Sequence, residues 1–202
     1  ILRPTWHFVA ADDIHWLFDL SNPRIKPIYI SYCKLTGTDE QTITGTYPII
    51  EKSFAGGKHY TKPEIQEILQ QHGIECKERL LNMVIGRAEM EGILCNGKLR
   101  GNKQTFTLLH EWVPKKYTLS EEEAIERLAR RFFASHSPAT LEDFAWWSGL
   151  TVTTCRKAIE LIKHNFVSEE INGRTFWIKN EFKTPENNQP SVLLLPPFDE
   201  FV

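Results

Sequence analysis

A weak internal repeat, written in helix caps and hairpin turns, constrains this chain more than any other feature. Three hydroxyl residues stand three positions ahead of a glutamate or glutamine at the head of an apolar helical run: Thr38 before Gln41, Thr61 before Glu64 and Ser120 before Glu123. Thr140 before Asp143 is a shorter-armed version. In such a box the hydroxyl accepts from an orphan amide while the acid or amide side chain reaches back, so each marks a helix start. The same succession then unrolls twice. A helix from Thr61 to about Gly73 precedes a longer one from Cys76 to Gly92. The apolar segment Ile93 to Cys95, a glycine-rich basic loop and a strand from Thr105 to Leu109 follow. A helix from Thr140 to Gly149 precedes a longer one from Thr151 to His164. Phe166-Val167, an Asn172-Gly173 turn and a strand from Thr175 to Ile178 follow. Asn-Gly between apolar strands selects a tight hairpin. Both closing strands open on Thr-Phe, and each succession has its own leading helix, Asp39 to Ala55 and Ser120 to Ala134.

Helix, helix, turn, helix and β-hairpin, written twice, predicts an α+β, mainly helical chain of tandem winged-helix domains. The longer second helix of each pair is the candidate recognition helix and the hairpin its wing. The boundaries fall at residues 39–117 and 118–183. Residues 184–202 read as a linker and the start of a further β region. Residues 1–38 read as the end of a truncated earlier winged helix plus connecting helices. Within them, Trp6 and Phe8 alternate with Thr5, His7 and Val9, as in a strand. A helix from Ala10 to Leu20 carries Asp12 and Asp13 in its first turn and stops at Asn22-Pro23. A second helix runs from Pro27 to Leu35. The chain opens on Ile1 and closes on Val202 just after an apolar strand, and so reads as an internal fragment.

Charge narrows the function classes. The 24 Lys and Arg against 26 Asp and Glu leave a net charge of −2. That excludes a globally basic nucleic-acid binder but not a local basic face. No apolar run approaches the roughly 18 residues of a membrane span. The four cysteines, Cys33, Cys76, Cys95 and Cys155, form no C-x-x-C pair, which argues against structural zinc and a secreted disulfide scaffold and fits a reducing cytosol. The seven histidines show no metal spacing, and no nucleophile triad or phosphate-cradling loop is present. No catalytic residue and no metal ligand is assigned.

The residues that suit DNA contact lie on the two repeats. On the first candidate recognition helix Leu80, Leu81, Val84, Ile85 and Ala88 repeat at core spacing. Arg79, Asn82 and Gly86 fall opposite them, with Glu78 and Glu89 beside. Arginine and asparagine suit guanine and adenine edges; a solvated helix face is the plain alternative. The first wing crowds Gly97, Lys98, Arg100, Gly101 and Lys103 into one loop, with no acid from Gly92 to His110. Three cations on a hairpin tip neutralise about three phosphates; a solubilising loop is the plain alternative. In the second copy Val152, Cys155, Ile159 and Ile162 form the expected buried stripe. Thr153, Thr154, Arg156 and Lys157 face outward, with Arg174 on the shorter wing. Trp146 and Trp147 are expected to pack between subdomains, although one of them left exposed suits stacking on a base. The run from Glu121 to Arg131 alternates sign, with Glu123–Arg127 and Glu126–Arg130 as helix-surface pairs.

Three stretches carry a family resemblance: Leu2-Arg3-Pro4-Thr5-Trp6-His7-Phe8-Val9, Asp143-Phe144-Ala145-Trp146-Trp147-Ser148-Gly149-Leu150 and Leu195-Pro196-Pro197-Phe198-Asp199-Glu200-Phe201, with Arg87-Ala88-Glu89-Met90-Glu91-Gly92 in support. Together they resemble the bacterial winged-helix family that includes the AlkZ-type (YcaQ-like) DNA glycosylases. The resemblance implies tandem winged helices around a basic DNA channel and excision of alkylated or crosslinked bases with no metal or organic cofactor. It implies double-stranded DNA as the partner, with no membrane and a monomeric state. The family's catalytic signature, Gln-x-Gln or Gln-x-Asp in the first winged helix, has no counterpart among Gln41, Gln66, Gln70, Gln71, Gln104 and Gln189. A DNA-binding fragment of such a glycosylase is the leading reading. A non-enzymatic DNA binder such as a transcriptional regulator and a winged-helix protein-interaction module are the alternatives.

Overall fold

The computed structural model of the chain describes residues 8–35 and 37–180. The first element, α1 (Ile14–Leu35), is one continuous helix where sequence signals predict two. Its prolines, Pro23 and Pro27, lie one turn apart on the exposed side, so the carbonyls they leave without an amide partner stay in water. Trp16, Leu17, Ser21, Ile25 and Cys33 are buried on the other side. That tertiary burial carries the helix through two local breakers. The next predicted helix is also divided, into α2 (Glu40–Thr44) and α3 (Tyr47–Phe54). The break falls at Gly45-Thr46, with Pro48 opening the second piece. The cap of α2 is Asp39, not Thr38: the Asp39 carboxylate accepts from the Thr42 amide at 3.0 Å, and Thr38 donates instead to the Met83 sulfur.

The remaining elements are α4 (Lys62–Gln71), α5 (Glu78–Met90), β1 (Leu94–Asn96), β2 (Phe106–Leu108) and α6 (Leu109–Trp112). They are followed by α7 (Glu121–Ser135), β3 (Ala139–Thr140), α8 (Leu141–Ser148), α9 (Val152–Ile162), β4 (Phe166–Ile171) and β5 (Arg174–Lys179). The three capping boxes at Thr61, Ser120 and Thr140 all form. The Glu64, Glu123 and Asp143 carboxylates accept from the backbone amides of Thr61, Ser120 and Thr140 at 2.7–2.8 Å. The structure is mixed α+β, mainly helical, with two small antiparallel sheets of winged-helix type. One pairs β1 with β2 and is extended by a single bridge from Tyr60 to Phe106. The other has the order β3-β5-β4. In the second, Asn172 and Gly173 both take positive φ, 52° and 75°, as a type I′ turn requires.

Two hydrophobic cores result. One gathers Ile43, Ile50, Phe54, Ile65, Leu69, Leu81, Val84, Ile85, Leu94, Phe106 and Leu108. The other gathers Ile125, Leu128, Phe132, Phe133, Phe144, Cys155, Ile159, Ile162 and Phe166. Val152, expected in the second core, sits in the first turn of α9 and is exposed. Helix α1 belongs to both: Trp16 and Leu17 enter the second core and Cys33 the first. It runs antiparallel to α5, with Phe18 against Gly92, Lys26 paired to Glu91 at 2.6 Å, and Tyr29 against Gly86. Buried Arg87 adds pairs to Glu91 at 3.0 Å and Glu40 at 3.2 Å, tying α5 to α2 as well.

Gly86 lacks a Cβ at the point where the Tyr29 ring arrives, and a methyl there would fall inside the phenol. Gly86→Ala is expected to cost about 1–3 kcal/mol of stability. In a Tyr29→Ala background the same change should cost less, because the obstructing ring is gone. Denaturant titration of the four proteins checks this; additive costs would show that the two residues do not meet.

Candidate nucleic-acid interface

The loop between β1 and β2 turns at Gly101 (φ 65°) and presents Lys98, Arg100 and Lys103, all exposed, with Leu99 70% exposed between the first two. Its base is anchored by His59. The Lys98 amide donates to the His59 Nδ1 at 3.2 Å, and partial burial with Lys98 and Arg100 nearby holds the imidazole below its ordinary pKa, so that nitrogen stays an acceptor. The Lys98 ammonium lies over the Trp112 ring, 5.5 Å from its centroid. Arg100 is spent within the molecule: one guanidinium nitrogen donates to Glu64 at 2.5 Å and another to the His59 carbonyl at 2.7 Å. Glu64 also accepts from the Thr61 amide and hydroxyl. Those bonds, and then Arg100, bring its pKa down to about 2.

The second wing repeats the device. Arg174 donates to the Thr140 hydroxyl at 3.4 Å, lies 3.9 Å from the Asp143 carboxylate and covers the Phe176 ring. In each copy, therefore, a wing arginine returns to the capping box at the head of the helix before the candidate recognition helix, α4 or α8. Sequence reading placed both arginines and both boxes without joining them. The signal was available, since the pairing of wing arginine and box acid occurs in both repeats.

The two candidate recognition helices differ. On α9 Thr153, Arg156 and Lys157 are exposed; Lys157 has an exposed pair with Glu122 of α7 at 3.6 Å. On α5 Arg79 and Asn82 are exposed, but the face expected to meet DNA is the one that meets α1. The Tyr29 hydroxyl donates to the Asn82 carbonyl at 3.3 Å, and Gly86 lies under the same ring. The Asn82 side chain accepts from the Lys62 ammonium at 2.9 Å. Two packed helices, each about 10–12 Å across, do not enter a major groove about 12 Å wide together. The open rim is left: Tyr29, Tyr32, Glu78, Arg79, Asn82 and Met83 line a groove of about 290 Å³. Further along α5, burial raises Glu89 to a pKa of about 7, with the Lys62 ammonium pulling the other way.

Of the tryptophan pair, Trp147 packs on Phe132 within the second core, with 5.1 Å between rings, whereas Trp146 is 70% exposed. In the alternating run Glu126–Arg130 forms at 2.5 Å, but Glu123 serves its capping box and Arg127 donates to the Tyr117 hydroxyl. Arg131 reaches across to Asp13 of the α1 approach at 2.5 Å, so part of this run joins elements as well as supporting one helix. His7, Asp199, Glu200 and the expected linker and β region of residues 184–202 lie outside the described residues. Among the described residues no group of three or more His, Cys, Asp or Glu is placed to hold a metal ion, and no helix is long and apolar enough to cross a membrane.

The family model described as DNA glycosylase AlkZ-like matches residues 1–202. The chain belongs to the AlkZ-like family. The solved structure of the Streptomyces sahachiroi DNA glycosylase AlkZ resembles this member with a TM-score of 0.56 and 22% identity. The match covers 85% of this chain and 46% of that one. The AlkZ-like chain thus spans about half the length of that glycosylase, and at this identity the likeness is one of fold. No curated protein sequence matches it. The stretch Arg87 to Gly92 has a physical role here: Arg87 pairs with Glu40 of α2, Glu91 with Lys26 of α1, and Gly92 receives the Phe18 ring.

Glu89 gives this AlkZ-like chain a distinctive pH response. Its folded pKa lies above the ordinary 4.5, so its contribution to stability is full below that value and is lost as pH rises through about 7. Glu89→Gln should therefore be more stable than the parent by about 2 kcal/mol at about pH 8 and converge with it below about pH 4. Urea denaturation across that range checks this; parallel curves would show that Glu89 titrates normally.

Proposed function

We propose that this chain is a DNA-binding segment of a winged-helix, glycosylase-like protein that acts on alkylated or crosslinked bases in duplex DNA. The observation that carries the reading is a chain of the AlkZ-like family with a cationic wing tip, Lys98, Arg100 and Lys103, and a second candidate recognition helix presenting Thr153, Arg156 and Lys157. Lysines on a hairpin tip bind phosphate as mobile point charges. The α9 hydroxyls and cations sit at the helix N-terminus, where the dipole and amides also favour an anion. Arg174, held at the Thr140–Asp143 box, adds a cation at the second wing, whereas Arg79 and Asn82 lie at the rim of the α1–α5 groove, outside the reach of a major groove.

The arginines and lysines have unequal parts. Arg100 must exchange Glu64 for a phosphate, whereas among the described residues no carboxylate is paired with Lys98. Its ammonium rests over the exposed Trp112 ring, a weak contact that yields to a phosphate more readily than an ion pair does. Base chemistry requires the target to be unstacked or otherwise reached. The signature Gln-x-Gln or Gln-x-Asp is absent from this sequence. In this reading the segment grips DNA, and excision depends on residues it does not carry.

The test is duplex binding as a function of salt. Lys98→Ala and Lys103→Ala should each lower the slope of log K against log salt by about 1, weakening all sequences alike, and Arg100→Ala should lower it by less. The chain alone should release no base from alkylated duplex. A slope unchanged in the double lysine variant would remove the wing from the interface. Base release by the isolated chain would show that it holds a catalytic group of its own.

A further inference from the structure

Gly56 and Gly57, which follow α3, both take positive φ, 84° and 71°. Packing does not ask for glycine at either position, since a Cβ added there would meet nothing within 4 Å. The two glycines instead turn successive backbone amides to one side, a conformation open to glycine and strained for other residues. Both amides converge on one carboxylate: Gly57 donates to Glu111 Oε2 at 2.6 Å and Gly56 to Oε1 at 3.3 Å. We infer that this amide pair is a binding site for a backbone phosphate of DNA, and that the Glu111 carboxylate is a built-in competitor that occupies it in the absence of DNA. This rests on the DNA-binding reading above and adds a site and a control to it.

The chemistry is visible in the occupant. A carboxylate held by two amides is a monoanion bound through two oxygens, and a phosphodiester presents two oxygens with the same single charge. The amides act on Glu111 as they would on a phosphate: the bond from Gly57, then that from Gly56, holds its pKa below the ordinary carboxylate value. The site does not depend on Glu111 for its shape. The Lys58 amide donates to the Phe54 carbonyl at 3.2 Å, which closes the turn around the glycines. Beyond them Tyr60 and Phe106 exchange backbone bonds of 3.0 and 2.8 Å. Glu111, by contrast, is free to leave. Its bonds to the glycines are exposed to water, and α6 around it is a four-residue turn seated by the buried Leu109. An exposed acid of this kind loses little on exchange.

The position suits a duplex gripped by the first wing. The glycines lead through Lys58 into His59, whose Nδ1 accepts from the Lys98 amide at the base of the wing. Glu111 is followed by Trp112, whose ring lies under the Lys98 ammonium and meets the His59 ring edge-on, 4.7 Å between centroids. Lys58 is exposed and donates to a neutral group, the Ser53 carbonyl, at 3.4 Å. His110, also exposed, lies 4.0 Å from the Glu111 carboxylate. A phosphate in place of that carboxylate would keep both amides and gain the cations of this strip. Until it is displaced, Glu111 both fills the site and repels the backbone.

The experiment measures duplex affinity against salt for the whole chain and follows the Gly56 and Gly57 amide signals by NMR. Glu111→Ala should bind a short duplex about tenfold more tightly at low salt. Its slope of log K against log salt should be steeper by about 1, one phosphate more. Both glycine signals should move as the duplex binds. Adding Gly57→Ala, which turns one amide aside, should remove the gain and the steeper slope. A gain that survives Gly57→Ala would show that Glu111 only repels DNA, and overturns the site. Should that double variant not fold, the signals in Glu111→Ala decide: glycine amides that stay in place while duplex binds overturn the site and leave the DNA-binding reading standing. Equal affinity of the parent and Glu111→Ala overturns the competitor. Movement with inorganic phosphate but not with duplex overturns the DNA backbone as the ligand. Failure of both proteins to bind duplex overturns the DNA-binding reading and the site with it.

Discussion

Helix α1 is held on two cores at once, and the arrangement of everything else depends on that bridge. Near its start Trp16 and Leu17 enter the core of the second winged unit; near its end Cys33 enters the core of the first. Burying a large apolar side chain of this kind contributes about 1.5–3 kcal/mol. Between these anchors the helix lies against α5 in a seam closed by Tyr29 on Gly86 and Phe18 on Gly92. The buried Arg87, shared by Glu40 and Glu91, adds α2 to the same seam. A guanidinium with so little solvent is costly unless its carboxylates stay in place, so these three elements move together or not at all.

That bridge decides what each winged unit presents. It covers one flank of α5 and turns a would-be recognition helix into one side of a narrow groove. On α9, Thr153, Arg156 and Lys157 stay exposed. The wings are fixed by a second device. Arg100 returns to Glu64 and Arg174 to the Thr140–Asp143 box, so the acid that caps each helix also orients its wing. These ion pairs are exposed and add little stability on their own. Their effect is geometric: they set the hairpin angle and leave the lysines as the mobile charges of the loop.

Local chemistry made much of the fold legible. The boxes at Thr61, Ser120 and Thr140 form where they were read, because a capping box involves residues only three apart. Asn172-Gly173 turns the second hairpin for the same reason. Most of the failures are long-range. Asn22-Pro23 and Pro27 are breakers by any local rule, yet α1 continues because its opposite side is buried in two cores. Thr38 lost its cap to Asp39 because Met83, 45 residues away, takes its hydroxyl. The placement of Arg79 and Asn82 on an outward face was legible from helical periodicity; that α1 would lie across that face was not. No periodicity in α5 announces its neighbour, and Gly86 became informative only once Tyr29 was seen against it. The cationic loop was legible as a cluster, but the commitment of Arg100 to Glu64 depends on a contact across 36 residues.

The central claim is that α1 holds the two winged units in one fixed relation. The most direct measurement is the distribution of distances between spin labels on the two wings, at Leu99 and Val167, both exposed, in a Cys95→Ser background. The account predicts a single narrow distribution in the parent chain and a broad one when Trp16 and Tyr29 are both replaced by alanine. A broad distribution in the parent, or one unaltered by removing both anchors, would contradict it.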